Sequence, residues 1–436
     1  MQNPSYSLPQ NWAARFFTVW GGQAFSLFGS ALVQFALVWY LTQQTGSATI
    51  LATATLVAML PQIVLGPFVG ALVDRWNRRL IMILADGSTA LATVVLIYLF
   101  ASGRVQIWHI YLILMVRSLG QAFQFPAMQA STSLMVPEKQ LTRISGANQT
   151  LQGVTNIVAP PTGALLLSLL PMQGILAIDI LTALLAITPL LFIPIPQPVR
   201  STQAQEAGSE EMTGGFLQDV REGLRYVASW PGLLAILIMA TLINFLLTPT
   251  SALMPLLVTK HFGLGALQFG LMDSAWGFGV ILGGLLLSAW GGFKRKVVTS
   301  MIGIIGIGLG VTIVGLSPAN MYWLAIAGMA LSGVTTPITN GPLFALIQST
   351  VRPDMQGRVM SLVMSAAAAM SPLSLMVAGP LSDAIGIRTW FWFGGAVCLL
   401  IGIGAFFVPA IMNVESNHNG ERPTSTDTSG AAVTAD

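Results

Sequence analysis

Charge is what this chain has least of. Of 436 residues, 19 are Lys or Arg and 16 are Asp or Glu, 8% in all, where a soluble domain carries about 25%. So few charges cannot coat a surface that meets water on every side, because soluble monomers avoid large exposed apolar patches. Cysteine is nearly absent. The single Cys398, set in an apolar run, excludes an intrachain disulfide, a zinc cluster or an iron–sulfur site and reads as a buried, inert thiol. His109, His261 and His418 are scattered without metal-ligand spacing, so no metal site is expected. No basic stretch is longer than Lys294, Arg295 and Lys296, which speaks against nucleic acid as a partner. A P-loop is also missing, and Gly306, Gly308 and Gly310 imitate a nucleotide loop without the strand, turn and helix that one needs. Neither an ATP site nor any cofactor is expected.

What the chain does have is apolar residues: 54% of the total, with a mean hydropathy of +0.74. They fall into twelve runs, the first at 16–41 and the last at 389–411, each long enough to cross a hydrocarbon core of about 30 Å as a helix. Barrel strands are excluded, being about ten residues of alternating polarity. The polar residues 1–15 lack the parts of a secretory signal, so the first run is expected to remain in the mature protein. With the N-terminus inside, fifteen of the 19 cations fall on inner segments, three (Arg104, Lys260, Arg388) on outer loops and one, Arg117, within a span. That positive-inside bias predicts a multi-pass protein of the cell membrane with both termini cytoplasmic.

The predicted organisation is a cytoplasmic segment at 1–15, six helices in 16–193, a cytoplasmic linker at 194–232, six helices in 233–411 and a disordered cytoplasmic tail at 412–436. In the linker Phe216, Val220, Leu224 and Val227 share one helical face, which suggests an amphipathic helix on the inner membrane surface. The halves are nearly equal in length and repeat short marks: Pro137-Glu138 with Arg143 after span 4 is echoed by Pro353-Asp354 with Arg358 after span 10. Two repeats about an axis along the membrane normal are an architecture of alternating-access carriers, with the substrate between them.

The loop GALVDRWNRR, holding Gly70, Asp74, Arg75, Arg78 and Arg79, resembles the signature between the second and third helices of the major facilitator superfamily. Arg117-Ser-Leu-Gly120 is similar to its fourth-helix motif, and Ala159-Pro160-Pro161-Thr-Gly163 partly matches its antiporter motif, with alanine where glycine is usual. In the second half Ser288 replaces the repeated aspartate. FQFPAMQASTSLMVPEKQLTR and GGLLLSAWGGFKRK look like the macrolide-efflux branch. The resemblance implies an all-α membrane protein of twelve helices in two pseudo-symmetric halves, and a gating loop that meets the start of span 11 near Arg358.

Four charges lie inside spans: Arg117, Asp86, Asp179 and Asp273. An intramembrane charge costs about 2.5–3.5 kcal/mol on insertion scales, so each is a candidate for proton coupling or for holding substrate charge. The alternative for Arg117 is a structural ion pair. Shielding from water favours a neutral carboxyl, as a proton carrier requires, whereas a close arginine favours the ionised form; spacing alone does not choose. Asp383 reads as a solvated cap. Polar stripes supply candidate cavity-lining residues: Gln23, Ser26, Ser30 and Gln34 in span 1, Gln121 and Gln124 in span 4, Gln149, Gln152 and Asn156 in span 5, Asn244 and Thr248 in span 7 and Asn340 in span 10. Their spacings of three and four mark single helical faces, although such residues also glue helices together.

These features lead to the expectation of a secondary transporter that exports amphipathic drugs such as macrolides in exchange for protons, with no enzymatic activity. Its expected partners are a small amphipathic substrate and membrane lipids, and it would work as a monomer. Export of a siderophore or lysolipid by the same fold, or cation-coupled uptake, stays open.

Overall fold

The computed structural model describes residues 11–196, 224–351 and 355–415, and within α2 the side chains of Pro67, Ala71, Asp74 and Arg75 are also outside the description. The described residues form twelve long helices. The first six are α1 (Trp12–Thr45), α2 (Ala48–Arg75), α3 (Arg78–Ala101), α4 (Ile107–Met135), α5 (Glu138–Leu169) and α6 (Met172–Phe192). The second six are α7 (Pro231–Leu256), α8 (Ala266–Trp290), α9 (Lys296–Leu316), α10 (Tyr322–Thr350), α11 (Gln356–Ile385) and α12 (Ile387–Ala405). Helix starts use local side chains: Ser47 and Asn77 accept hydrogen bonds from the backbone amides of Ile50 and Leu80, as capping residues do.

Nine of these helices are long and apolar enough to cross a membrane on composition alone. The other three, α4, α5 and α10, carry the polar stripes that lower their hydropathy. Several helices overrun the apolar runs at the cation-rich end; α5 starts at Glu138 and α4 ends at Met135. A helix propagates through polar residues once its apolar part is packed, so hydropathy marks the lipid boundary rather than the helix end. Val227, at the end of the expected amphipathic helix, is buried with Leu233, Ile347 and Val359 rather than turned to lipid. The start of that helix and its linker lie outside the described residues.

The halves repeat one packing scheme. In the first, α1 packs on α5 and α6, α4 on α2 and α3, and α3 on α6; in the second, α7 packs on α11 and α12, α10 on α8 and α9, and α9 on α12. Helix α9 is the spine of the second half because its glycines admit backbones. A Cβ at Gly308 would overlap the backbone of Leu399 in α12, and one at Gly310 that of Gly328 in α10. The seams between halves are also paired: α2 against α11, and α5 against α8.

Those seams are drawn together at the cation-poor end. Asp383, at the end of α11, accepts hydrogen bonds from the amides of Ala48 and Thr49 (2.8 and 2.9 Å) and from the hydroxyls of Ser47 and Thr49 (2.8 and 2.7 Å). It therefore caps α2 across the two halves, a more specific role than a solvated cap. On the other seam Ser274 Oγ donates to the carbonyl of Ile157 at 2.6 Å, and the absent side chain of Gly270 lets α8 rest on the carbonyl of Pro160. Phe35 of α1 stacks on Phe269 of α8 with centroids 4.9 Å apart. At the cation-rich end the first half keeps its own core, with Phe16, Val73, Met82 and Met135, apart from that of Leu233, Ile347 and Val359. Among the described residues, the two halves meet at the cation-poor end and leave a cleft between their separate cores toward the cation-rich end.

Candidate functional site

A cavity of about 640 Å³ lies in the cleft, and its wall comes entirely from α1, α2, α4 and α5. Seven glutamines line it: Gln23, Gln62, Gln121, Gln124, Gln129, Gln149 and Gln152, with Asn148, Ser26 and Ser30. Trp20, Leu27, Phe125, Met128 and Leu151 supply apolar area. All but Gln62, Gln129 and Asn148 of its polar residues belong to the predicted stripes. Amide groups both donate and accept, so this wall can pair with many polar arrangements while its apolar members hold a hydrocarbon body.

Behind the wall sits Asp86 of α3, 3% exposed. Its carboxyl accepts from Gln23 Nε2 at 2.9 Å, Ser26 Oγ at 3.2 Å and Gln124 Nε2 at 2.7 Å. Gln124 Nε2 also donates to Gln23 Oε1 at 2.5 Å, which closes a triangle of two amides and one carboxyl. Every donor is neutral, and each belongs to the cavity wall. An ionised carboxylate only accepts hydrogen bonds, whereas a protonated one must also donate. Protonation of Asp86 therefore requires one of its three donors to accept instead, by rotation of the Ser26 hydroxyl or by the turn of an amide.

Arg117 and Asp179 meet each other instead of the cavity. Arg117 Nη1 lies 2.5 Å from Asp179 Oδ2, with the side chains only 4% and 2% exposed. Thr93 of α3 donates to Asp179 at 2.9 Å and accepts from Arg117 at 3.0 Å. Ser30 of α1 reaches Asp179 at 3.4 Å. The arrangement ties α1, α3, α4 and α6 together, with each charge answered by the other.

Asp273 is different again. It is exposed, and among the described residues it has no hydrogen-bond or ion-pair partner. The remaining stripe members scatter. Gln34, Asn156 and Asn340 are exposed, Asn244 donates to the carbonyl of Ala240 at 2.9 Å, and Thr248 shares a 3.3 Å hydrogen bond with Ser371.

The profile of the Major Facilitator Superfamily matches residues 19–366 and 236–433. This chain belongs to the major facilitator superfamily. It is 35% identical to macrolide efflux protein A of Streptococcus pyogenes over 393 residues, 90% of this chain and 95% of that protein. It is 27% identical to the multidrug efflux pump Tap of Mycolicibacterium fortuitum, over 89% and 94% of the two chains. Among solved structures it resembles a bacterial homologue of the lysosomal transporter Spinster in an inward-facing, unoccupied conformation, with a TM-score of 0.68 at 13% identity over 95% of this chain and 99% of that one. A bacterial homologue of ferroportin in an inward-facing state gives 0.67 at 15% identity, covering 90% and 98%. As a major facilitator the chain is a membrane transporter of the macrolide-efflux type.

In that superfamily's signature loop, Arg78 is buried and donates to the carbonyl of Ala130 at 2.8 Å. Arg79 forks onto the carbonyls of Leu190 and Leu191 at the end of α6, where a cation complements the helix dipole. Gly70 is open to solvent, and Arg358 Nη1 approaches Met355 Sδ at 3.7 Å. The expected latch between Asp74 and the start of span 11 falls on side chains outside the described residues, as does that of Arg75. The second half has a brace of its own: Arg388, at the start of α12, forks onto the carbonyls of Gly315 and Leu316 at 2.6 and 2.8 Å, at the opposite end of the molecule from Arg79. Cys398 is fully buried and its thiol approaches the carbonyl of Ile304 at 3.8 Å.

Proposed function

We propose that this major facilitator is a drug exporter of the cell membrane, with both termini cytoplasmic, that moves amphipathic molecules such as macrolides outward in exchange for protons. The observation that carries the reading is the coupling of the amide-lined cavity to Asp86. The cavity opens toward the cation-rich end, which the positive-inside bias makes cytoplasmic, so cargo enters from the cell interior. Asp86 takes the proton. Its protonation reverses one hydrogen bond to the cavity wall, at Ser26 or at an amide of the Gln23–Gln124 triangle, so the wall that cargo meets changes with the charge of Asp86. Arg117 and Asp179 hold the helices of the first half in register. The halves rock about the α2–α11 and α5–α8 seams, within a single chain surrounded by lipid.

Purified protein in liposomes tests this with an imposed pH gradient and macrolides, cationic dyes or lysolipids as cargo. For molecules with the cytoplasmic face outward, an acid lumen should drive drug into the lumen. Accumulation driven the other way would make the protein an importer. Equal flux with and without the gradient would remove the proton from the mechanism.

A further inference from the structure

We propose that Lys260 is a gating residue: with Asp383 it grips the turn between α1 and α2, and the two charges together hold the halves against each other at the cation-poor end. The inference goes beyond the export reading above and shares with it only the rocking of the halves.

The turn is short. Helix α1 ends at Thr45 and α2 begins at Ala48, so the chain reverses through Gly46 and Ser47 alone. Two helix ends of opposite polarity meet there: the last carbonyls of α1 carry partial negative charge and the first amides of α2 partial positive charge. Neither end brings its own countercharge, since the last turn of α1 has no basic residue and the first turn of α2 no acidic one. Both countercharges come from the second half. Asp383 of α11 answers α2 through the amides of Ala48 and Thr49. Lys260 answers α1: its Cε and Nζ lie 3.3 and 3.6 Å from where a Cβ on Gly46 would sit. Gly46 has a φ of +56°, so glycine there both makes the turn and leaves room for the lysine.

A change of helical pitch puts Lys260 in place. After Leu256, α7 continues as a single π turn, Leu257–His261, a winding that recurs where a helix serves a function. Leu257 and Val258 are fully buried, and His261 Nε2 donates to the carbonyl of Ser317 at the end of α9 at 2.8 Å. The turn is thus fixed to the second half while Lys260 is exposed. Lys260 has no ion pair or hydrogen bond among the described residues, so its charge acts on the end of α1 as a whole. Phe269, stacked on Phe35 and Trp39 at centroid distances of 4.9 and 6.1 Å, forms an aromatic plug at the same end. When the halves part there, both countercharges leave the turn together.

Spin labels test this in the full chain in lipid nanodiscs. Labels at the exposed Gln44 and Leu267 report the cation-poor end, and labels at the exposed Ser133 and Gln348 the cation-rich end. Lys260→Met should raise the open-to-closed ratio at the cation-poor end about two- to fivefold, the worth of a cation at a helix C-terminus, while the cation-rich distance shortens. Lys260→Arg should keep the wild-type ratio. Lys260→Met with Asp383→Ala should shift it by the product of the single shifts, because each charge serves a different helix end. Wild-type distances in Lys260→Met, or a Lys260→Arg protein as open as Lys260→Met, would overturn the proposal. So would a longer distance at the cation-poor end without shortening at the other, the mark of a frayed turn. Inverse shifts in Asp383→Ala but none in Lys260→Met would sink the role of the lysine and leave the rocking intact, whereas ends that move independently in both variants would sink the rocking itself.

Discussion

At the scale of single residues, four intramembrane charges turn out to occupy three kinds of surroundings. Removing one member of a buried ion pair strands the other, a loss of about 3–5 kcal/mol. Arg117→Ala should therefore lower the melting temperature and the folded yield sharply. Arg117→Met combined with Asp179→Leu should recover much of that loss, as read by thermal unfolding in detergent. Asp86→Asn should fold normally, because an amide can still accept from two of the three donors. It should, however, abolish the release of about one proton per drug bound, measured in weakly buffered solution. Intact proton release in that variant would move the coupling site elsewhere. Sequence spacing brought Arg117 and Asp86 into view because a charge in an apolar run is conspicuous. It could not pair Arg117 with a residue 62 positions away. Gln129 was missed for a local reason: it lies off the straight-helix stripe of Gln121 and Gln124, just past Pro126, which removes a backbone hydrogen bond from α4. Gln62 stands alone in an apolar helix with no period to announce it.

Among the helices, the seams carry the conformational energetics. Asp383 gives α2 an N-terminal cap borrowed from the other half, and losing such a cap costs about 0.5–2 kcal/mol. A free-energy change of 1–2 kcal/mol alters a two-state ratio by roughly 5–30-fold. Asp383→Ala should accordingly raise the fraction of molecules open at the cation-poor end, seen as a longer spin-label distance between the start of α2 and the end of α11. An unchanged distance distribution would show that the aromatic plug alone holds the gate. All twelve helices were legible as apolar runs, since lipid demands about 20 apolar residues per crossing. Their ends were less so: the polar turns of α4 and α5 beyond the membrane resemble loop sequence. The inter-half role of Asp383 was invisible, because its partners lie some 335 positions away.

For the whole molecule, pseudo-symmetry describes the frame and not the site. The same helix pairs recur in both halves and both seams obey the two-fold relation, yet the cavity wall comes from one half alone. The near-equal lengths of the halves made the duplication legible, but nothing in composition marks the first half as the one that lines the cavity. Its asymmetry predicts that Gln124→Leu, facing the cavity, alters drug affinity at least tenfold, while Asn340→Leu in the symmetry-related helix α10 changes it less than twofold, as measured by competition binding. Equal effects would mean that cargo is shared between the halves. The one-sided wall also matters for blocking the protein. In the proposed rocking mechanism, a compound that grips only the glutamines would travel with the first half as cargo does. An effective blocker must instead be long enough to hold both halves at once, a wedge anchored on the amides and lodged against the α5–α8 seam.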